Sequence, residues 1–148
     1  MMKKILWPTD LSGNAQRALP LVASLSEQFQ SEIHVLYVIE EIAVHEPWYG
    51  EFDPSHIQKI QEWERTKAEE RLDWVCKEYL NSCPLFVRHV AVGNPAEKIL
   101  EFIEKEGIDM VVMAGRGRKN RFAFGSVTEK VMKNAAVPVT VVPVDDRT

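Results

Sequence analysis

The densest chemistry in the chain lies in one segment, Met113-Ala114-Gly115-Arg116-Gly117-Arg118-Lys119-Asn120-Arg121-Phe122-Ala123-Phe124-Gly125-Ser126. Gly115, Gly117 and Gly125 allow backbone to come close to a ligand. Arg116, Arg118, Lys119 and Arg121 crowd the middle. A helical pattern opens at Ser126, so the N–H groups of Ser126, Val127 and Thr128 lack intrahelical acceptors and favour an anion. These parts together suit a phosphate group. The spacing is neither that of a Walker loop nor that of a dinucleotide fingerprint. A plainer reading fits the same residues: turn glycines, a capping serine and a solvated basic face.

Asp10 follows the first apolar run. On its own it reads first as an Asx turn or cap, helped by Ser12, Gly13 and Asn14, and second as a contact to a ribose or a metal. His34, His45, His56 and His89 lack the spacing of zinc ligands, and no metal site is expected. His34 and His89 fall in strand-like runs and read as structural. Ser126 sits in no nucleophile elbow, and no Ser–His–Asp set can be assembled. No general base, nucleophile or metal cluster is evident, so the chain reads more as a binding protein than as an enzyme, with at most slow hydrolysis of a bound phosphate compound. Trp63 and Trp74 recur at helical spacing and read as packing residues.

These residues need a scaffold. Short β-rich runs alternate with longer helical patterns, the signature of βαβ units and a parallel sheet. Five runs read as strands: Lys4–Pro8, Glu32–Ile39, Leu85–Val92, Met110–Met113 and Val137–Val144. A first helix is expected over Asn14–Gln30, with Ala15, Ala18, Leu19, Val22, Leu25 and Phe29 on its buried face. Pro20 predicts a kink there, or a helix proper that begins near it. A second helix is expected over His56–Asn81, with Ile57, Ile60, Ala68, Leu72, Val75, Cys76 and Tyr79 as its apolar positions.

A third helix has Asn94 as N-cap, Pro95 at its first position, Glu97 three residues after the cap and Gly107 at its end. The fourth opens at Ser126 with a capping-box pattern, Ser126-Val127-Thr128-Glu129. In an open parallel sheet, ligands bind beyond the carboxyl ends of the strands. Pro8-Thr9-Asp10, Gly93-Asn94, Ala114–Gly125 and the stretch after Ile39 all leave strands at that edge. The long aperiodic segment Glu40–Ser55 reads as a lid that packs its own aromatics.

With 148 residues, the chain is long enough for one domain with a real core. Hydrophobic residues make up 45% and charged residues 27%, a globular mix. The net charge of −4 argues against a general attraction to nucleic acid or acidic membranes. Four basic residues on one loop make a patch rather than a reading surface. No apolar run approaches the roughly 18 residues of a membrane helix. Pro8 and Asp10 interrupt any signal-peptide core. Cys76 and Cys83 lack metal or redox spacing, so a cytoplasmic location is expected.

Several of these segments, in this order, resemble the universal stress protein family. Ile5-Leu6-Trp7-Pro8-Thr9-Asp10-Leu11-Ser12 resembles its opening, and Ile33-His34-Val35-Leu36-Tyr37-Val38 its second strand. Gly93-Asn94-Pro95-Ala96-Glu97-Lys98-Ile99 resembles the turn and helix after the third strand. Gly125-Ser126-Val127-Thr128-Glu129-Lys130-Val131 and Val137-Pro138-Val139-Thr140-Val141-Val142 resemble its ending.

The resemblance implies an α/β fold: a doubly wound, five-stranded parallel sheet in the order 3-2-1-4-5 with helices on both faces. It implies a stress-response regulatory protein, a homodimer through Val137–Val144 centred on Val139–Val142, an unidentified protein partner, and an ATP site with Mg2+ as companion. Pro8, Thr9, Asp10, Val38, Met113, Ala114, Gly115, Gly117, Arg118, Gly125, Ser126 and Val127 would form that site. Pro8, Val38 and Met113 would contact the base, Asp10 the ribose or metal, and the loop and helix start the phosphates. Ala114 stands where the family pattern has its first glycine. Seven residues separate Gly117 from Gly125, two fewer than in the pattern. The alternative is a nucleotide-independent dimeric interaction module.

Overall fold

Ile5, Leu6 and Trp7 are completely buried, as expected of a strand covered on both faces. They belong to β1 (Lys4–Thr9), the middle of a five-stranded parallel sheet in the order β3-β2-β1-β4-β5. The other strands are β2 (Glu32–Ile39), β3 (Phe86–Val92), β4 (Met110–Ala114) and β5 (Val139–Val142). This architecture comes from a computed structural model that describes residues 2–11, 13–40, 54–79, 86–115 and 125–143. Ser12, Cys83, the stretch 41–53, and Arg116, Gly117, Arg118, Lys119 and Arg121 of the basic loop lie outside the described residues.

Alternate side chains of the strands feed two cores. Ile5, Trp7, Ile33, Val35 and Val112 pack on one face with α1 (Gly13–Gln16), α2 (Leu19–Phe29) and α3 (Pro54–Tyr79). Leu6, Leu36, Val38, Val111 and Met113 pack on the other with α4 (Pro95–Glu106) and α5 (Ser126–Asn134). The Trp7 indole N–H donates to the Ala15 carbonyl at 3.2 Å, so its burial strands no donor. Burial pushes the Cys76 thiol up to about 11, which makes it a packing group rather than a reactive one.

Pro20 divides the first helical pattern as expected. A short α1 stops at Gln16, and α2 restarts at Leu19 with the proline in its first turn, where no N–H is needed. The α4 punctuation is also as read. Asn94 Oδ1 accepts from the Glu97 N–H at 3.1 Å, and Gly107 ends the helix in the left-handed region, φ 63°.

Other expectations need correction. The last strand is shorter than Val137–Val144 within the described residues, because Pro138 and Pro143 bracket it at Val139–Val142. Phe29, Ile60, Trp63 and Trp74 are exposed, by 53, 40, 62 and 58%. On α3 the buried stripe is Ala68, Leu72, Val75 and Cys76, and the tryptophans lie away from it. Ser126 does not cap α5. It is the first helical residue, and Gly125 occupies the N-cap in extended conformation, so no capping box forms.

Candidate functional site

The site begins with a proline in a central strand. The Lys4 carbonyl accepts from the Asp109 N–H, at 2.9 Å, while the Lys3 carbonyl accepts from Glu32 on the β2 side, at 2.8 Å. Backbone groups alternate sides along a strand, so those of Lys4, Leu6 and Pro8 face β4. Pro8 has no N–H to offer there. The β1–β4 pairing is accordingly confined to Ile5↔Met110 and Leu6↔Val111, whereas β1 pairs with β2 as far as Thr9↔Tyr37. Beyond Leu6 and Val111 the two strands are unlaced. This is the place where strand order reverses, the expected ligand crevice of such a sheet.

On one side of that crevice the chain turns sharply. The Leu11 N–H donates to Thr9 Oγ1 at 2.9 Å, and Leu11 has φ 64°, a left-handed conformation uncommon for a leucine. Its side chain is buried, which anchors the turn and leaves Asp10 partly exposed at the edge. Arg71 Nη2 donates to the Leu11 carbonyl at 3.2 Å, so α3 braces the same turn.

On the other side, the ends of the basic loop are drawn together. The Gly125 N–H donates to the Gly115 carbonyl at 2.6 Å, and the Gly115 N–H donates to Val142 of β5 at 2.9 Å. Thr128 Oγ1 donates to the Ala114 carbonyl at 3.0 Å in a buried bond. Two bonds thus tie the first turn of α5 to the end of β4. Neither bond involves the residues between Gly115 and Gly125.

A cavity of about 500 Å³ opens at this edge, between the starts of α4 and α5. Gly93, Asn94, Pro95 and Ala96 line one wall, Ser126, Val127 and Lys130 the other, and Glu40 the rim. The structure therefore brings Ser126 and Val127 together with the Gly93–Asn94 turn. Pro8, Thr9, Asp10, Val38, Met113, Ala114 and Gly115 lie at the carboxyl ends of β1, β2 and β4, outside this cavity's lining. Gly117 and Arg118 lie outside the described residues.

Gly93 needs its glycine. Its φ of 147° strains any other residue, and an added Cβ would sit 2.7 Å from Lys98 Cε. Gly125, at φ −70° and ψ 153°, does not need its glycine for conformation. What distinguishes it is the missing side chain: no side-chain capping bond closes the first turn of α5.

Sequence reasoning missed the Thr128 hydroxyl and Lys130. Lys130 falls one helical turn after Ser126, a spacing that puts the two side by side and that could have flagged it. Thr128 had no such signal, because its partner is a backbone carbonyl on another element. The described residues contain no group of three or more His, Cys, Asp or Glu placed to hold a metal ion. They also contain no helix long and apolar enough to cross a membrane.

His34 and His89 are structural, as expected, and they meet. His34 Nε2 lies 2.6 Å from Glu32 Oε1, and His34 Nδ1 lies 3.0 Å from His89 Nε2. A carboxylate only accepts, so His34 donates through Nε2, and in the neutral ring that leaves Nδ1 to receive the His89 N–H. Phe102 of α4 packs edge-on against both rings. Burial, followed by the proximity of His34, holds the His89 pKa below its usual 6.5.

The sequence model of the universal stress protein family matches residues 1–143. The chain belongs to this family. A universal stress protein of Methanocaldococcus jannaschii, MJ0577, is 32% identical to it, over 96% of this chain and 95% of that one. The solved MJ0577 structure superposes with a TM-score of 0.85 at 30% identity, covering 99% of both chains. The UspA protein of Lactobacillus plantarum gives 0.83 at 24% identity, over 95% of this chain and 97% of that one. An Archaeoglobus fulgidus universal stress protein in complex with dAMP gives 0.66 at 18% identity, over 95% and 97%. Another universal stress protein, in complex with cAMP, gives 0.64 at 15%, over 97% and 98%. The last three likenesses establish the shared fold.

Proposed function

We propose that this universal stress protein is a cytoplasmic regulatory module that binds an adenine nucleotide, ATP with Mg2+ in the first instance, at the crevice between β1 and β4. The observation that carries this reading is the open first turn of α5. Its N–H groups have no side-chain cap, Lys130 stands one turn on, and a cavity of about 500 Å³ lies in front. An uncapped helix start beside a cation suits a phosphate. The apolar Val38 and Met113 at the neighbouring strand ends suit a base, and Asp10 suits a ribose or a phosphate-bound Mg2+, which keeps most of its ligands as water and phosphate oxygens. The dAMP and cAMP complexes of relatives with this fold support an adenine nucleotide. We assign no nucleophile and general base, so any hydrolysis would be slow.

The test is thermal unfolding of nucleotide-stripped protein with ATP–Mg2+ and with AMP. A ligand at about one hundred times its dissociation constant stabilises by roughly 2.7 kcal/mol. A saturable rise in Tm, lost in Gly125→Val, is the expected result. No rise at millimolar ATP in well-folded protein sinks the reading and leaves the nucleotide-independent module.

The same proposal includes a homodimer through β5. That strand is the sheet edge and is only half-buried. The carbonyls of Pro138 and Val142 accept bonds from β4, so the backbone groups of Val139 and Val141 point away from the sheet. A second β5 can pair there, and the flanking prolines limit the pairing to this short window. Val141→Pro removes one outward donor. Sedimentation should then show a weakened dimer, and an undiminished dimer would rule out this edge.

A further inference from the structure

Ile60, Trp63 and Trp74 are three of the large apolar side chains that α3 leaves in water, and they share one face of that helix. With Lys67 and Glu70 they recur at alternating steps of three and four residues, the spacing of a coiled-coil seam. The stripe lies away from Ala68, Leu72, Val75 and Cys76, which hold α3 on the sheet. Lys67 Nζ sits 5.9 Å from the centroid of the Trp63 ring, which keeps its charge within the stripe. Exposed tryptophans on a regular face are the residue type that anchors interfaces.

We propose that this face is a self-association surface, on which two copies of the chain meet with their α3 helices antiparallel. The charges choose the direction. A parallel pairing in register sets Lys67 on Lys67 and Glu70 on Glu70. An antiparallel pairing, with its two-fold axis between Ala68 and Glu69, sets Trp63 against the partner's Trp74 and Lys67 against the partner's Glu70. Symmetry makes each of these contacts twice. On the flank, Glu64 approaches the partner's Arg71. Lys67 and Glu70 each stand three residues along the seam from their own copies, and the like-charge approach of Lys59 to the partner's Lys77 falls at the outer ends, where Lys77 is already paired to Asp73 at 3.0 Å.

A hollow of about 220 Å³ lies beside Trp74, bounded by Gln16, Glu70, Arg71 and Val75. The antiparallel seat brings the partner's Trp63 to its mouth, where the Arg71 guanidinium can stack on the indole. One helix against one helix covers less than the ~1,000 Å² of a stable interface, so the association is weak and depends on concentration. Its residues lie on α3 rather than on β5, and Arg71 joins it to the Leu11 turn beside the nucleotide crevice.

The experiment is sedimentation of the full-length chain from low micromolar to near-millimolar concentration, with a charge swap. Lys67→Glu and Glu70→Lys each place like charges across the seam, and the double variant restores the pairing. Both residues are exposed, so folding is preserved and is checked by circular dichroism. The expected result is an association step that each single variant weakens roughly tenfold or more. The double variant recovers it, and Trp63→Ala abolishes it. Absence of any step that responds to these four variants, or failure of the double variant to recover, overturns the proposal. Running the series again in Val141→Pro separates this step from β5 pairing.

Discussion

Asn94 closes the first turn of α4 with its own amide oxygen, whereas Gly125, at the corresponding place on α5, has no side chain with which to do so. Both helices start at the wall of one cavity. Both leave the same edge of the sheet, α4 after the half-buried edge strand β3 and α5 after the buried β4. The difference separates two uses of a helix start. The α4 terminus is finished internally and contributes stability. The α5 terminus is held from behind, through Thr128 and the Gly115 carbonyl, and no N-cap side chain closes its first turn. A cap and a bound anion compete for the same donors, so a helix that serves a ligand must forgo the cap.

The largest way to break this contrast is to give α5 what α4 already has. Gly125→Asp places a carboxylate cap on the open turn. The nucleotide-dependent rise in stability, roughly 2.7 kcal/mol at a hundredfold excess over the dissociation constant, should vanish. Calorimetry with and without ATP–Mg2+ checks this, and a retained shift would show that the open turn does not hold the phosphates.

Next comes the anchor. Thr128→Val removes the hydroxyl and strands a buried carbonyl, at a cost of about 1–3 kcal/mol in chemical denaturation. Serine at the same position should recover most of that loss. The converse test is Asn94→Ala. It should cost about 1 kcal/mol through the lost cap and leave the nucleotide shift intact. A lost shift there would make α4 part of the phosphate site.

The finest distinction is one of pH. Through Phe102, α4 rests on the His34–His89 pair. His89 has a pKa lowered by burial and by His34. Its neutral form is favoured in the fold, so the unfolded chain takes up a proton first. Stability from this group is complete above 6.5 and is lost as the pH falls below that value. Amides of α4 should therefore lose protection, measured against their intrinsic exchange rates, on acidification before those of α5 do, and His89→Phe should flatten the trend. Asp109 acts at lower pH. The Lys4 N–H bond, with help from that of Lys3, holds its carboxyl below the usual 3.8, so its contribution is lost only as the pH drops beneath that value.

The contrast between the two helix starts was half legible in the sequence. Asn94, Pro95, Glu97 and Gly107 announce α4 because every capping partner lies within a few residues. The same local grammar misreads α5. Ser126-Val127-Thr128-Glu129 fits a capping box only if the serine precedes the helix, and the chain turns one residue earlier, at Gly125. Glu129 pairs forward with Lys133 at 2.9 Å instead.

The strands and the faces of both cores follow largely from apolar runs and periodicity, apart from end residues that proline sets, and the strand order follows from the family resemblance. What stayed hidden depends on elements meeting across the sheet: His34 with His89 through the β2–β3 register, Thr128 with Ala114, and the unlacing of β1 from β4 at Pro8. Trp63 and Trp74 were misplaced because residue type alone does not say which side of a helix faces the core.

The Gly115–Gly125 bond also makes a ring of the chain between them. Closing a ring costs configurational freedom that grows only with the logarithm of its length. Two residues more or fewer between those glycines change that cost by about 0.2 kcal/mol. The length of this loop is therefore thermodynamically almost neutral. Insertions and deletions between Gly115 and Gly125 can alter what the loop reaches while the seat of α5 stays where Thr128 and the Gly115 carbonyl hold it.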